Sequence, residues 1–214
     1  MKLRSSCILA LLLTSLAAQP MWAEPASLPP IAQAEEGFLL VPGQSVGPIT
    51  KDSTEASLKA AFGAGNVKKE TLYVGDGQEL PGLAIFANDP EKRIEVIWSE
   101  TEPNKIAFVQ IQGDRSVWQT KDSVSLGTSL QELEKLNGRA FTMFGLGWDF
   151  GGSVTDWKGG ALDGLMVRLG ESEDLSLSEK EAEAVYGDQE VSSDLPLMRR
   201  INPKVFKIVI SFES

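Results

Sequence analysis

Ile49-Thr-Lys-Asp-Ser-Thr-Glu-Ala-Ser-Leu-Lys-Ala-Ala-Phe-Gly63 and Val124-Ser-Leu-Gly-Thr-Ser-Leu-Gln-Glu-Leu-Glu-Lys-Leu-Asn-Gly138 are two versions of one pattern. Ile49-Thr50 matches Val124-Ser125, Ser53-Thr54 matches Thr128-Ser129, Leu58 matches Leu133 and Gly63 matches Gly138, at a constant offset of 75 residues. Each stretch predicts a helix. In the first, Asp52 is the expected cap and Glu55 completes a capping box, with Leu58, Ala61 and Phe62 as the buried stripe. In the second, Thr128 or Ser129 caps, Ser129-Leu-Gln-Glu132 is the box, and Leu130, Leu133 and Leu136 face the core. A glycine closes each helix, where a left-handed residue is wanted.

Strand signals follow each helix. Val67 to Val74 runs into the turn residues Gly75-Asp-Gly77, and Leu83 to Ala87 into Asn88-Asp-Pro90. Arg93 to Trp98 and Ile106 to Gln112 alternate apolar and polar positions, the mark of half-buried strands. After the second helix, Ala140 to Phe150, Val154 to Trp157 and Leu162 to Leu169 read as strands, the last broken by Asp163-Gly164. Ser178 to Tyr186 predicts a helix, and Lys204 to Phe212 is the clearest strand.

The expected fold is therefore α+β: two tandem units of helix plus antiparallel β-meander, forming an extended or abutting sheet with helices on one face. The units are expected at residues 37–115 and 116–214. One such unit has a small core and exposed sheet edges; two can share both. A capped helix with Leu and a terminal Gly, then a meander, at this period, resembles the tandem units of the beta-lactamase inhibitory protein family. It is also similar to small outer-membrane modules of the SmpA/OmlA type. The resemblance implies a curved sheet backed by helices, a shape suited to a protein partner. It departs in cysteine usage, since those inhibitor units carry disulfides and those modules are lipidated, so neither inhibition nor outer-membrane assembly carries over.

The N-terminus reads as a signal peptide over residues 1–23. Lys2 and Arg4 precede a short apolar core, Ile8 to Leu16, well below the roughly 20 residues of a membrane span. Cleavage is expected after Ala23, with Ala18 as the alternative. Cys7, the sole cysteine, precedes the apolar core, so lipidation is not expected. Residues 24–36, with Pro25, Pro29 and Pro30, read as a flexible leader. The expected address is the bacterial periplasm or the extracellular medium.

Composition removes several chemistries. The 214 residues include no histidine, which excludes Ser-His and Cys-His dyads and His-ligated metal. One cysteine excludes an intrachain disulfide framework and a thiolate zinc site. A formal charge of −10, moving to −12 if Lys2 and Arg4 are removed, argues against nucleic acid and anionic lipid surfaces. Ser-x-x-Lys and Walker patterns do not occur. No cofactor, metal site or catalytic residue is expected.

The aromatic run is the most informative remaining feature. If Thr142 to Phe150 is one strand, Phe144, Leu146, Trp148 and Phe150 share a face, with Trp157 across the turn. Phe144, Trp148, Phe150 and Trp157 are the candidate binding residues, since aromatics dominate binding hot spots and stack on sugars. The competing reading buries that face within the protein. Gly145, Gly147, Gly151 and Gly152 allow close approach by a ligand or by neighbouring backbone. The functional expectation is an exported, non-catalytic module of the bacterial cell envelope that recognises an envelope or extracellular protein. The alternative is a glycan binder, or a carbohydrate-active enzyme using Asp149 and Asp156 beside Trp148 and Trp157.

Overall fold

The computed structural model describes residues 36–75, 77–102, 104–171 and 176–212. The expected signal peptide and the leader up to residue 35 lie outside the described residues. After a short 3-10 turn at Glu36–Phe38 come β1 (Leu39–Val41), β2 (Ser45–Val46), α1 (Glu55–Phe62), β3 (Val67–Gly75), β4 (Gln78–Ile85), β5 (Ile94–Trp98), β6 (Ile106–Gln112) and β7 (Gln119–Thr120). The second half holds α2 (Leu130–Asn137), β8 (Thr142–Phe144), β9 (Val154–Asp156), β10 (Met166–Gly170), α3 (Glu179–Val185), β11 (Glu190–Ser192), α4 (Pro196–Ile201) and β12 (Lys204–Ser211). The fold is α+β, with helices on one face of antiparallel sheet.

The two helix entries are the same structure. Thr54 and Ser129 are the N-caps, and each makes a capping box with the residue three positions on, Ser57 or Glu132. The first cap is thus Thr54, not Asp52. Asp52 lies outside the helix and forms an ion pair with Lys105. The turn before each cap repeats as well: the Thr50 N–H donates to Ser53 Oγ at 3.0 Å, and the Ser125 N–H to Thr128 Oγ1 at 3.0 Å. Leu58 and Leu133 are buried at matching positions.

β3 to β6 form the expected meander. β12 then pairs antiparallel with β6, and β10 with β12, giving the order β10-β12-β6-β5-β4-β3. The last strand of each half is therefore the seam, and two open edges become one continuous ladder. A single bridge, Ser153 to Arg168, links this sheet to the smaller sheet β11-β8-β9. The second half departs from a plain meander by inserting α3, β11 and α4 before β12. Arg199 and Arg200 lie on α4 and tie it to α2 and α3 through Glu134 and Glu181.

The core lies between the helices and one sheet face. Ile85, Val96, Val109, Ile111, Ile208 and Ile210 from that face join Leu58, Leu133 and Met198 in one cluster. Residues from before and after position 115 feed it. The opposite face is of different character. It carries Glu95, Gln110 and Lys207, all buried, and the separate buried group Leu72, Ala84 and Ile97.

The expected strand Ala140–Phe150 is only Thr142–Phe144. Positive φ at Gly147 and Gly152 breaks extended backbone, and residues 145–153 form a loop between β8 and β9. The alternation that put Phe144, Leu146, Trp148 and Phe150 on one face does not apply there: Leu146 is buried and Phe150 is exposed. Likewise, Leu162 to Gly164 are turn residues, and the strand begins at Met166.

Candidate functional site

Of the four aromatic candidates, three come together. Phe144 meets Trp148 edge-on at 5.5 Å, and Trp148 meets Phe150 edge-on at 5.4 Å. Phe144 and Trp148 are half-buried, and Phe150 is 46% exposed. Trp157 does not join them. It is 4% exposed, packs on Phe141 at 4.9 Å, and donates its indole N–H to the Leu165 carbonyl at 2.7 Å. Trp157 is therefore a core residue with a satisfied polar edge.

The glycines in this loop serve internal packing. A Cβ on Gly152 would collide with the Leu169 carbonyl, and one on Gly145 would lie 2.7 Å from the Gly187 carbonyl. Neighbouring backbone, and at Gly147 the Tyr186 ring, fills the space they leave.

The carboxylates nearby do not pair. Asp156 is exposed and held below the ordinary carboxylate range, first by its bond from the Lys158 ammonium and then by the Lys158 N–H. A general acid requires the opposite displacement. Among the described residues, no group of three or more metal-ligating side chains occurs, and no helix is long and apolar enough to cross a membrane.

The helix-free face holds what the sequence reading missed. Three large hydrophobic side chains are strongly exposed among the described residues: Tyr73 at 47%, Phe150 at 46% and Met166 at 52%. All three surround Arg168. Met166 is two residues before it on β10, so both project to the same side. Phe150 precedes Gly151, whose carbonyl accepts from Arg168 Nη2 at 3.1 Å and Nε at 3.3 Å. The Tyr73 phenol and the Asp149 carboxylate lie within electrostatic reach of the guanidinium, which burial otherwise pulls below its usual range. Arg168 also lies over the Phe206 ring, 5.3 Å from its centroid.

Tyr73, on β3, and Trp148, in the β8–β9 loop, stand 75 positions apart in sequence. Each carbonyl is held by a side chain from the helix-free face. Gln110 Nε2 donates to the Tyr73 carbonyl at 2.9 Å, and Arg168 Nη2 reaches the Trp148 carbonyl at 3.5 Å. The β3–β4 tip and the β8–β9 loop thus flank one stretch of sheet face. Beside it, Arg93 is bonded to both Glu70 and Glu95, and Glu95 also accepts from Gln110 and Gln112.

A groove of about 760 Å³ borders the same half of the sheet, between the start of α1 and the edge of β3, lined by Thr54, Glu55, Lys69, Pro81, Trp98 and Asn104 among others. Comparison with protein-family models, characterised proteins and solved structures gave no match to this chain.

Proposed function

We propose that this protein is an exported, non-catalytic binding module of the cell envelope, and that it recognises a protein partner through the helix-free face of its sheet. The observation that carries this reading is the grouping of Tyr73, Phe150 and Met166 around Arg168. Aromatic residues, Met and Arg are the types enriched at the centres of protein interfaces. The resemblance in the helix repeats points the same way, toward a curved sheet with one face free. The test is capture from envelope extract, with the protein as bait beside a Tyr73→Ala/Phe150→Ala/Met166→Ala variant. Capture of one defined protein by the native chain and its loss with the folded variant are expected. Equal capture by both would overturn this placement.

A glycan-binding reading has one observation in its favour, the groove against Trp98 with Thr54 and Asn104 at its rim. Indole faces stack on sugar rings, and the neighbouring amide and hydroxyl supply hydrogen bonds. Loss of glycan-array binding in Trp98→Ala, with the sheet-face variant unaffected, would select it.

A further inference from the structure

Arg168, Lys207 and Gln112 stand in one row across β10, β12 and β6: Arg168 is in register with Lys207, and Lys207 with Gln112. Their side chains therefore leave the sheet on the same, helix-free side, about 5 Å apart from strand to strand. Two cations directly opposed across strands repel one another. Lys207 is only 5% exposed, yet its sole hydrogen bond among the described residues is a long one, 3.4 Å, to the Val74 carbonyl. An ammonium carries three donors, so two are unspent among the described residues. Arg168 gives Nε and Nη2 to backbone carbonyls, and Nη1 has no acceptor among the described residues. Neither cation forms an ion pair among the described residues.

The nearby carboxylates do not fill this role. Glu95, which faces Lys207 from β5, is committed to Arg93, Gln110 and Gln112. Asp149, on the β8–β9 loop, is exposed, acts on Arg168 only through its charge, and forms no ion pair among the described residues. Tyr73 from the β3–β4 tip also acts on Arg168, and the Phe206 ring lies under its guanidinium. Burial, and then the Arg168 charge, lower the affinity of Lys207 for its proton, while Glu95 opposes this. The unspent donors of Arg168 and Lys207 are thus adjacent, positively charged, and bounded by apolar side chains.

Resting on the protein-binding reading above, we infer that the row Arg168–Lys207–Gln112 is a carboxylate site, taking an acidic side chain or chain terminus of the partner protein. One carboxylate oxygen would accept from Arg168 Nη1 and the other from Lys207 Nζ, so that the repulsion between the two cations becomes joint attraction. Tyr73, Phe150 and Met166 would pack on the residues flanking that carboxylate.

The test needs no partner. The isotope-labelled full chain is titrated with sodium acetate at constant ionic strength, with acetamide as the neutral isostere. Saturable shifts at the Arg168 Nε–H and the amides of Gly151 and Val74 are expected with acetate and not with acetamide. Arg168→Gln and Lys207→Met should each weaken the acetate response about tenfold, the loss of one charge-assisted contact. A flat acetate titration, or an equal response to acetamide, overturns the carboxylate site. If Lys207→Met fails to fold, the half-buried Arg168→Gln carries the comparison. A failure of partner capture leaves the acetate result standing, and a flat titration leaves the capture result standing, so the two readings fail separately.

Discussion

Thr54 and Ser129 do the same work 75 residues apart: each hydroxyl accepts from the N–H three positions on, at 3.2 Å and 3.3 Å. Each is the N-cap of an eight-residue helix, too short to persist without its cap and its packing. Thr54→Ala and Ser129→Ala should each lower the unfolding free energy by about 1 kcal/mol. The two caps sit on different helices, so the double variant should approach the sum. Urea unfolding monitored by circular dichroism checks both statements.

The repeat was legible because helix signals are local: a cap, an apolar stripe and a closing glycine lie within one short stretch. The same holds for β5 and β6, whose alternation gave their bounds within a residue. Asp52 misled because the capping pattern occurs twice in Asp52-Ser-Thr-Glu-Ala-Ser57, and only the packing of Leu58 and Ile49 selects the later one. The loop 145–153 misled because alternation was assumed to continue through glycines that take positive φ. The row on the sheet face was not legible at all. Arg168 and Lys207 become neighbours only through the register of β10 on β12, which no local pattern encodes.

Gly152 and Gly159 separate backbone strain from steric collision. Both have positive φ, 76° and 67°. A methyl on Gly159 meets nothing within 4 Å, whereas one on Gly152 would strike the Leu169 carbonyl. Gly159→Ala should cost about 1 kcal/mol, the left-handed penalty alone. Gly152→Ala should cost at least about 3 kcal/mol, because the backbone of β10 must also shift. A cost for Gly152→Ala no larger than that for Gly159→Ala would show that the packing of the β8–β9 loop on β10 yields easily.

Trp157 and Phe150, both candidates in the sequence, should part company when truncated. Trp157 is buried with its indole N–H bonded, so Trp157→Ala should destabilise by about 3–5 kcal/mol. Phe150 is exposed, as are Tyr73 and Met166, and each alanine variant should stay within about 0.5 kcal/mol of the native protein. Thermal unfolding of the four single variants decides this, and it certifies the surface variants for binding work.

Acid should unfold the protein partly through Glu181. Its carboxylate accepts from the Ser178 N–H, the Ser178 hydroxyl and Arg200, which together lower its pKa from the ordinary 4.5 to about 2. A depressed carboxyl contributes stability that is complete above the unfolded pKa and is lost as pH falls toward the folded one. The window is thus from 4.5 down to about 2. Glu132 and Asp156 are displaced in the same direction by the Ser129 and Lys158 bonds, respectively. Glu181→Gln should flatten the fall of melting temperature across that window, and Arg200→Ala should do so by a smaller amount. An unchanged acid limb in Glu181→Gln would assign acid unfolding to other carboxylates.

Lys207 exposes a conflict between stability and binding. A buried ammonium that has one long hydrogen bond and a guanidinium as its cross-strand neighbour is poorly compensated. Methionine keeps its unbranched stem and removes the charge. In the isolated protein, Lys207→Met should therefore be neutral or stabilising, by up to about 2 kcal/mol. Glu95 remains satisfied in that variant by Arg93, Gln110 and Gln112, so no buried carboxylate is orphaned. The native lysine would then be retained at a stability cost because an incoming carboxylate uses it, as binding sites commonly do. The paired measurement is thermal unfolding of native and Lys207→Met protein without acetate and in saturating acetate. The native protein should gain stability with acetate and the variant should not, with the variant the more stable of the two when acetate is absent. A variant clearly less stable than native in plain buffer would mean that the Val74 carbonyl and Glu95 already compensate the charge, and that Lys207 is a structural residue.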